Sequence, residues 1–234
     1  VLAAIFVLAG GAFGTAGAEA AGTPPRTRNP GYIWRIDADD VPGLPRNFRT
    51  MDGEFRAAHK ADMDASYIPT REGLDRLHAS GSGEFSASGL RALLEALALK
   101  TQDPICIVDL REESHGFFNG TAVSWYGERD WGNVGLTHEE ALADEEGRIH
   151  GAEGQMTVVA HLGGEKNPLD EHEIFVEEAQ TEKELVEAAG LQYKRITATD
   201  HIWPAPAAVD DFVRFYKSLP ENVWLHFHCQ AGEG

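Results

Sequence analysis

Cysteine is nearly absent from this chain. Only Cys106 and Cys229 occur among 234 residues, too few for a disulfide scaffold. A bond between them would also consume a nucleophile, so both are read as free thiols: Cys106 buried within Ile105-Cys106-Ile107-Val108, and Cys229 reactive. Basic residues are scarce as well. The 20 Lys and Arg stand against 38 Asp and Glu, a formal net charge of −18, which excludes nucleic acid and anionic membrane as general partners. It does not exclude a phosphorylated ligand. Charges more than about 8 Å apart are screened at physiological salt, so a local cluster of Arg and Lys can outweigh a distant acidic surface.

Long apolar runs are missing too. The strongest begins Val1-Leu2-Ala3-Ala4-Ile5-Phe6-Val7-Leu8-Ala9 and is too short to span a bilayer comfortably. It passes into Gly/Ala-rich sequence with Ala16-Gly17-Ala18 or Ala18-Glu19-Ala20 as cleavage sites, so residues 1–20 are read as a signal peptide and the protein as exported, periplasmic or extracellular, with no stable membrane association after cleavage. Neither an initiator Met nor a basic n-region precedes the run, and the N-terminus is expected to be cut. Residues 21–40, which carry Pro24, Pro25 and Pro30, are expected to form a flexible mature N-terminus, and residues 41–234 the domain. No internal repeat is present, nor any low-complexity tract after the leader. The ordinary 42% hydrophobic and 25% charged content suits a globular core.

Helices and strands alternate along the rest. Leu90, Leu93, Leu94 and Leu97 follow Ser88 at helical spacing, and Ile105 to Leu110 is a continuously apolar strand of the buried parallel type. Thr137-His138-Glu139-Glu140 and Thr181-Glu182-Lys183-Glu184 both fit the capping box, and the second helix should end at Gly190. Leu191 to Thr197 reads as a strand, Val209, Phe212, Val213 and Tyr216 as a helix face stopped near Pro220, and Val223 to His228 as the last strand. This predicts an α/β sheet flanked by helices. Residues 112–164, rich in Gly, Asn and aromatic residues with short β-like pieces, are expected to form a small β-rich insertion.

The chemistry is concentrated at the end of the sequence. Val223-Trp224-Leu225-His226-Phe227-His228 runs into Cys229-Gln230-Ala231-Gly232-Glu233-Gly234, a glycine-bearing loop opened by a cysteine. A phosphate dianion needs several backbone N–H donors converging on one point. The same field favours a thiolate, which is the nucleophilic form of cysteine, and Gly232 and Gly234 let the backbone approach a ligand closely. A buried cysteine followed by a plain glycine turn is the alternative reading of the loop by itself. A metal site from His226, His228 and Cys229 is not expected, because alternation puts the histidines on one face and Cys229 on the other, and no second cysteine pair completes a zinc site.

Together with this loop, the segments Leu44-Pro45-Arg46-Asn47-Phe48-Arg49, Asp109-Leu110-Arg111-Glu112-Glu113-Ser114-His115-Gly116-Phe117, Val123-Ser124-Trp125-Tyr126 to Asp130-Trp131, and Thr199-Asp200-His201 resemble the bacterial protein-tyrosine-phosphatase-like inositol polyphosphatases, or cysteine phytases, over roughly residues 40–234. The resemblance implies a cysteine-phosphatase-like sheet with an inserted partial barrel, and hydrolysis of phosphate monoesters of inositol polyphosphates such as phytate without a cofactor. Cys229 would be the nucleophile beside His228, and Asp200 the general acid and then base. Gln230, Ala231, Gly232, Glu233 and Gly234 would form the phosphate loop. By the same resemblance Asp130 is a candidate to orient a loop arginine or a substrate group, His201 to contact a neighbouring phosphate and Lys166 a peripheral one, while Arg46 and Arg49 are further phosphate clamps. The family's loop closes with an arginine, and the sequence stops at Gly234. The expectation is a chain truncated within the loop and inactive as it stands. A tyrosine or dual-specificity phosphatase, and a phosphate-binding module without turnover, remain the alternatives. The sequence leaves the oligomeric state open.

Overall fold

The computed structural model describes residues 31–54, 70–164 and 167–233. The expected signal peptide and two of the candidate site residues, Lys166 and Gly234, lie outside them. Among the described residues the strands are β1 (Ile33–Ala38), β2 (Arg49–Thr50), β3 (Ala79–Ser82), β4 (Ile105–Asp109), β5 (His115–Phe118), β6 (Thr121–Tyr126), β7 (Met156–Ala160), β8 (His172–Phe175), β9 (Ala179–Thr181), β10 (Gln192–Arg195) and β11 (Trp224–His228). The α-helices are α1 (Ala87–Ala98), α2 (His138–Ala152), α3 (Glu182–Ala188) and α4 (Pro206–Ser218).

Two sheets result. One has the order β10-β4-β11-β3-β2, with β10, β4, β11 and β3 parallel and β2 antiparallel at the edge. Alternation along β4 sends Ile107 to one face, against Leu90, Leu93 and Leu97 of α1, and Cys106 and Val108 to the other, against Phe212 of α4. Helices therefore cover this sheet on both sides, which is why its strands read as continuous apolar runs. Each Leu of α1 buried in this way stabilises the fold by about 1.5–3 kcal/mol.

The second sheet has the order β8-β7-β1-β6-β5-β9. It stays open, with β8 and β9 at its edges. Two expected boundaries move. Residues 33–38 fall in the expected flexible N-terminus, yet β1 is a central strand paired with β6 and β7. Its alternation explains the difference: Trp34 and Ile36 enter a core with Phe118, Val123, Ile149 and Val159, while Arg35 is buried among acids. Nor is the β-rich part a contiguous insertion over 112–164, since it draws β1 from before that range and β8 and β9 from after it.

Both expected capping boxes form, at Thr137 with Glu140 and at Thr181 with Glu184. The chain leaves α3 through Gly190 at φ 79°, a left-handed position that suits glycine.

Candidate active site

Strands β10, β4 and β11 finish level with one another: Arg195 pairs with Asp109, and Asp109 with His228. The loops leaving these ends are 110–114, 196–205 and the cysteine loop from 229. In an open α/β sheet this carboxyl edge is where ligands bind. Cys229 and Asp200 therefore lie on loops at the same edge, leaving strands two places apart.

Cys229 is half-buried and free. The backbone N–H of Gly232 donates to its Sγ at 3.2 Å, so the loop turns back over the sulfur. Gly232 stands at φ 73°, and a Cβ there would lie 2.3 Å from the backbone nitrogen of Gly83. No other residue type fits without moving the loop.

The segment expected to clamp phosphate is bonded to the loop's own backbone. Arg46 Nη2 donates to Gln230 O at 2.9 Å, Asn47 Nδ2 to Ala231 O at 2.9 Å and Arg49 Nη1 to Gly232 O at 2.7 Å. Gln230 also donates through Nε2 to Asp37 Oδ1 at 3.3 Å, and Glu233 is exposed.

His228 is wholly buried. Its Nε2 donates to Glu182 Oε1 at 2.7 Å, and its Nδ1 lies 3.7 Å from Glu84 Oε2. Burial pushes the imidazole towards neutrality, but the Glu182 and Glu84 carboxylates outweigh it and hold the pKa up at about 9. His226, on the same face, is the opposite case. Burial, His228 and Arg49 push its pKa well below the usual value, and the neutral ring is held by Ser80 Oγ at 2.8 Å and Ser82 Oγ at 3.0 Å.

Beneath the loop lies a buried ion network joining the two sheets. Arg111 bonds Glu84 at 2.6 Å, Asp37 at 2.9 Å and Glu113 at 2.8 Å. Arg195 bonds Asp109 at 2.8 Å and Glu145 at 3.1 Å, and His115 bonds Asp109 and Glu182, each at 3.1 Å. Two sets in this network, Glu84-Glu182-His228 and Asp109-His115-Glu182, bring ligand-type atoms within 4.8 Å of one another. Their carboxylate oxygens accept from arginines, imidazoles, the Tyr193 hydroxyl and backbone N–H groups.

Asp130 joins this network. Arg35 Nη1 lies 2.8 Å from its Oδ1, and burial together with Glu113, opposed by Arg35, raises its pKa to about 6. Asp200 is different: its carboxylate is half exposed, 3.3 Å from His201 Nε2, while its backbone oxygen accepts from Trp131 Nε1 at 3.0 Å. The preceding Thr199 donates through Oγ1 to Glu112 Oε1 at 3.0 Å. These bonds tie the Asp200 loop to the segment carrying Asp130 and to the loop after β4. Sequence reasoning named neither Glu182 nor Glu84 nor Arg35 as site residues. Glu182 was visible only as the first helical residue of a capping box, and nothing local marked it as a partner of His228.

The chain is similar to several known proteins. A family model for PTP-like phytase, described by inositol hexakisphosphate, matches residues 108–234. The chain is 34% identical over 136 residues to effector protein hopD2 of Pseudomonas syringae pv. tomato, a match covering 56% of this chain and 29% of that protein. A PTP-like myo-inositol phosphatase from Mitsuokella multacida, solved with myo-inositol-(1,3,4,5)-tetrakisphosphate, superposes with TM-score 0.82 at 48% identity over 88% of this chain and 36% of that one. A PTP-like phytase from Bdellovibrio bacteriovorus gives TM-score 0.64 at 32% identity over 90% of this chain and 66% of that one. The chain thus spans about a third of the length of the first two proteins it matches.

Proposed function

The chain belongs to the family of PTP-like phytases, and on that premise we propose that it carries the catalytic core of a metal-independent phosphomonoesterase acting on myo-inositol polyphosphates. The observation that carries this reading is the Gly232 N–H aimed at Cys229 Sγ from a loop at the end of a central parallel strand. A backbone donor holds the sulfur in place, and a loop of such donors suits a phosphate dianion. The ligand in the Mitsuokella structure, an inositol tetrakisphosphate, supports the substrate class.

In the proposed reaction, Cys229 Sγ attacks phosphorus in line. An S–P bond forms, the P–O bond to inositol breaks, and Asp200 in its acid form gives its proton to the leaving oxygen. Asp200, now a carboxylate, takes a proton from water as that water attacks the phosphocysteine, releasing inorganic phosphate and the thiolate. The half-exposed Asp200 carboxylate on a loop at the same sheet edge suits both roles. In this reading His201 beside it receives a further phosphate of the substrate, while the Arg46 and Arg49 guanidinium groups, bonded to the carbonyl oxygens of Gln230 and Gly232, brace the loop from its other side. We extend the proposal to export directed by residues 1–20, checked by sequencing the N-terminus of protein recovered from outside the cytoplasm.

The test is phosphate release from inositol hexakisphosphate by the product of the whole open reading frame, wild type and Cys229→Ser, with EDTA present. Release by the wild type and none by the variant is the expected result. Turnover of a phosphotyrosine peptide in preference to the inositol substrate would move the assignment to a tyrosine phosphatase. Tight phosphate binding without turnover of either would leave a binding module.

A further inference from the structure

The bonds from residues 46–49 set the direction of the cysteine loop as well as its position. A peptide unit is planar and trans, so its carbonyl oxygen and its N–H point in opposite directions. Holding the oxygens of Gln230, Ala231 and Gly232 on one side aims the N–H groups of Ala231, Gly232 and Glu233 to the other. For the middle unit both ends are seen. Asn47 Nδ2 donates to Ala231 O at 2.9 Å, and the N–H of that same peptide unit, on Gly232, donates to Cys229 Sγ at 3.2 Å. A donor at the carbonyl end polarises the unit and strengthens its N–H as a donor in turn.

The segment that supplies these donors is itself anchored. Gly83 N–H donates to Arg46 O at 2.7 Å, Arg49 pairs with Gly81 across β2 and β3, and the Phe48 ring stacks on His226 with centroids 6.3 Å apart. Asn47 lies at φ 58°, a left-handed conformation that asparagine adopts more readily than most residues. Arg46 and Arg49 grip the peptide units on either side, but only the acceptor of Asn47 shares its unit with the N–H on the sulfur.

We propose that Asn47 is a positioning residue for the nucleophile, its amide fixing the Ala231–Gly232 peptide so that the Gly232 N–H faces Cys229 Sγ. This rests on the reading of Cys229 as the nucleophile and not on the identity of the substrate. It differs from the clamp role expected for this segment, since Asn47 acts on the loop and touches no phosphate.

The test compares wild type, Asn47→Gly and Asn47→Asp in the product of the whole open reading frame. Asn47→Gly removes the donor while tolerating the backbone angle, and Asn47→Asp keeps size and angle while placing an acceptor against a carbonyl. The readouts, all at one pH, are the rate of Cys229 alkylation by iodoacetamide located by peptide mass, the Kd for orthovanadate, kcat and KM on p-nitrophenyl phosphate, and the melting temperature. Losing one aligned donor should slow alkylation and weaken vanadate by about tenfold in both variants, with melting little changed and kcat reduced more than KM is altered. Wild-type alkylation and vanadate affinity in Asn47→Gly would overturn the proposal. So would a defect confined to Asn47→Asp, which would report only added charge. If either variant melts below the assay temperature, Asn47→Ser takes its place in the comparison. A responsive Cys229 in a protein that releases no phosphate from inositol hexakisphosphate would sink the substrate assignment and leave this inference standing; a wild-type Cys229 inert to iodoacetamide would remove both.

Discussion

His228 and Glu182 are joined by a 2.7 Å hydrogen bond from Nε2 to Oε1, with both side chains wholly buried. The bond connects the strand that leads into Cys229 to the first residue of α3, which follows the edge strand of the other sheet. It also supplies the main attraction that keeps the imidazole cationic against burial. Glu182→Gln should therefore lower the His228 pKa. Removing one partner of a buried pair should also destabilise the fold by about 3 kcal/mol. Histidine NMR titration and thermal melting check both effects, and a His228 that still titrates near 9 in the variant would show that Glu84 alone suffices.

Stability should peak in mildly acidic solution. Burial, reinforced by Glu182, raises Glu84 to about 7, burial raises Glu112 to about 7, burial and Glu113 raise Asp130 to about 6, and His228 stands at about 9. Each binds its proton more tightly folded than unfolded, so its contribution is complete below its unfolded value and is lost as pH rises through the folded one. Asp37 is opposite: against its burial, Arg111 and Arg35 hold it at about 2, and its contribution is lost as pH falls below about 4. Melting at constant ionic strength should be higher at about pH 5 than at about pH 8. Glu112→Gln keeps an oxygen to accept from Thr199 and removes one titration, so the gap should narrow; a gap unchanged in that variant would exclude Glu112 from the effect.

Asp200→Asn should reduce kcat on inositol hexakisphosphate by about 10²–10⁴-fold, the usual worth of a general acid. The loss should shrink for p-nitrophenyl phosphate, whose leaving group needs no proton. Equal losses on both substrates would place Asp200 outside the proton transfer.

Gly232→Ala should abolish orthovanadate binding, because its Cβ would sit 2.3 Å from the Gly83 nitrogen at a positive φ. The strained backbone should also cost about 1–3 kcal/mol. Vanadate affinity and melting measure the two effects separately, and wild-type affinity would mean that the loop has room to yield.

Leu93→Ala removes a fully buried side chain from the core that α1 shares with Phe117 of one sheet and Ile107 of the other. A loss of about 2–5 kcal/mol is expected in denaturant unfolding. A loss well under that would mean that the surrounding core closes over the space left by the side chain.

The elements with local signatures were legible in advance. Both capping boxes, the leucine face of α1, the apolar β4 and the strand ending at His228 were written in short windows, because caps and periodicity are short-range physics. β1 was not. Its six residues follow a proline-rich stretch, and their partners, β6 and β7, lie far along the chain, so only pairing revealed them as a central strand.

The sequence by itself determined which reactive groups are present: a cysteine after a buried strand, glycines for close approach, and an aspartate in a separate loop are choices of residue type. Only the tertiary structure decided what surrounds them. Asn47 meets the Ala231 carbonyl, and Glu182 meets His228, across large separations in sequence. Arg111 finds Asp37 and Glu84 only when two sheets are packed against each other. A side chain's partner and its protonation are set by distance and burial in space, and neither is a property of the local sequence.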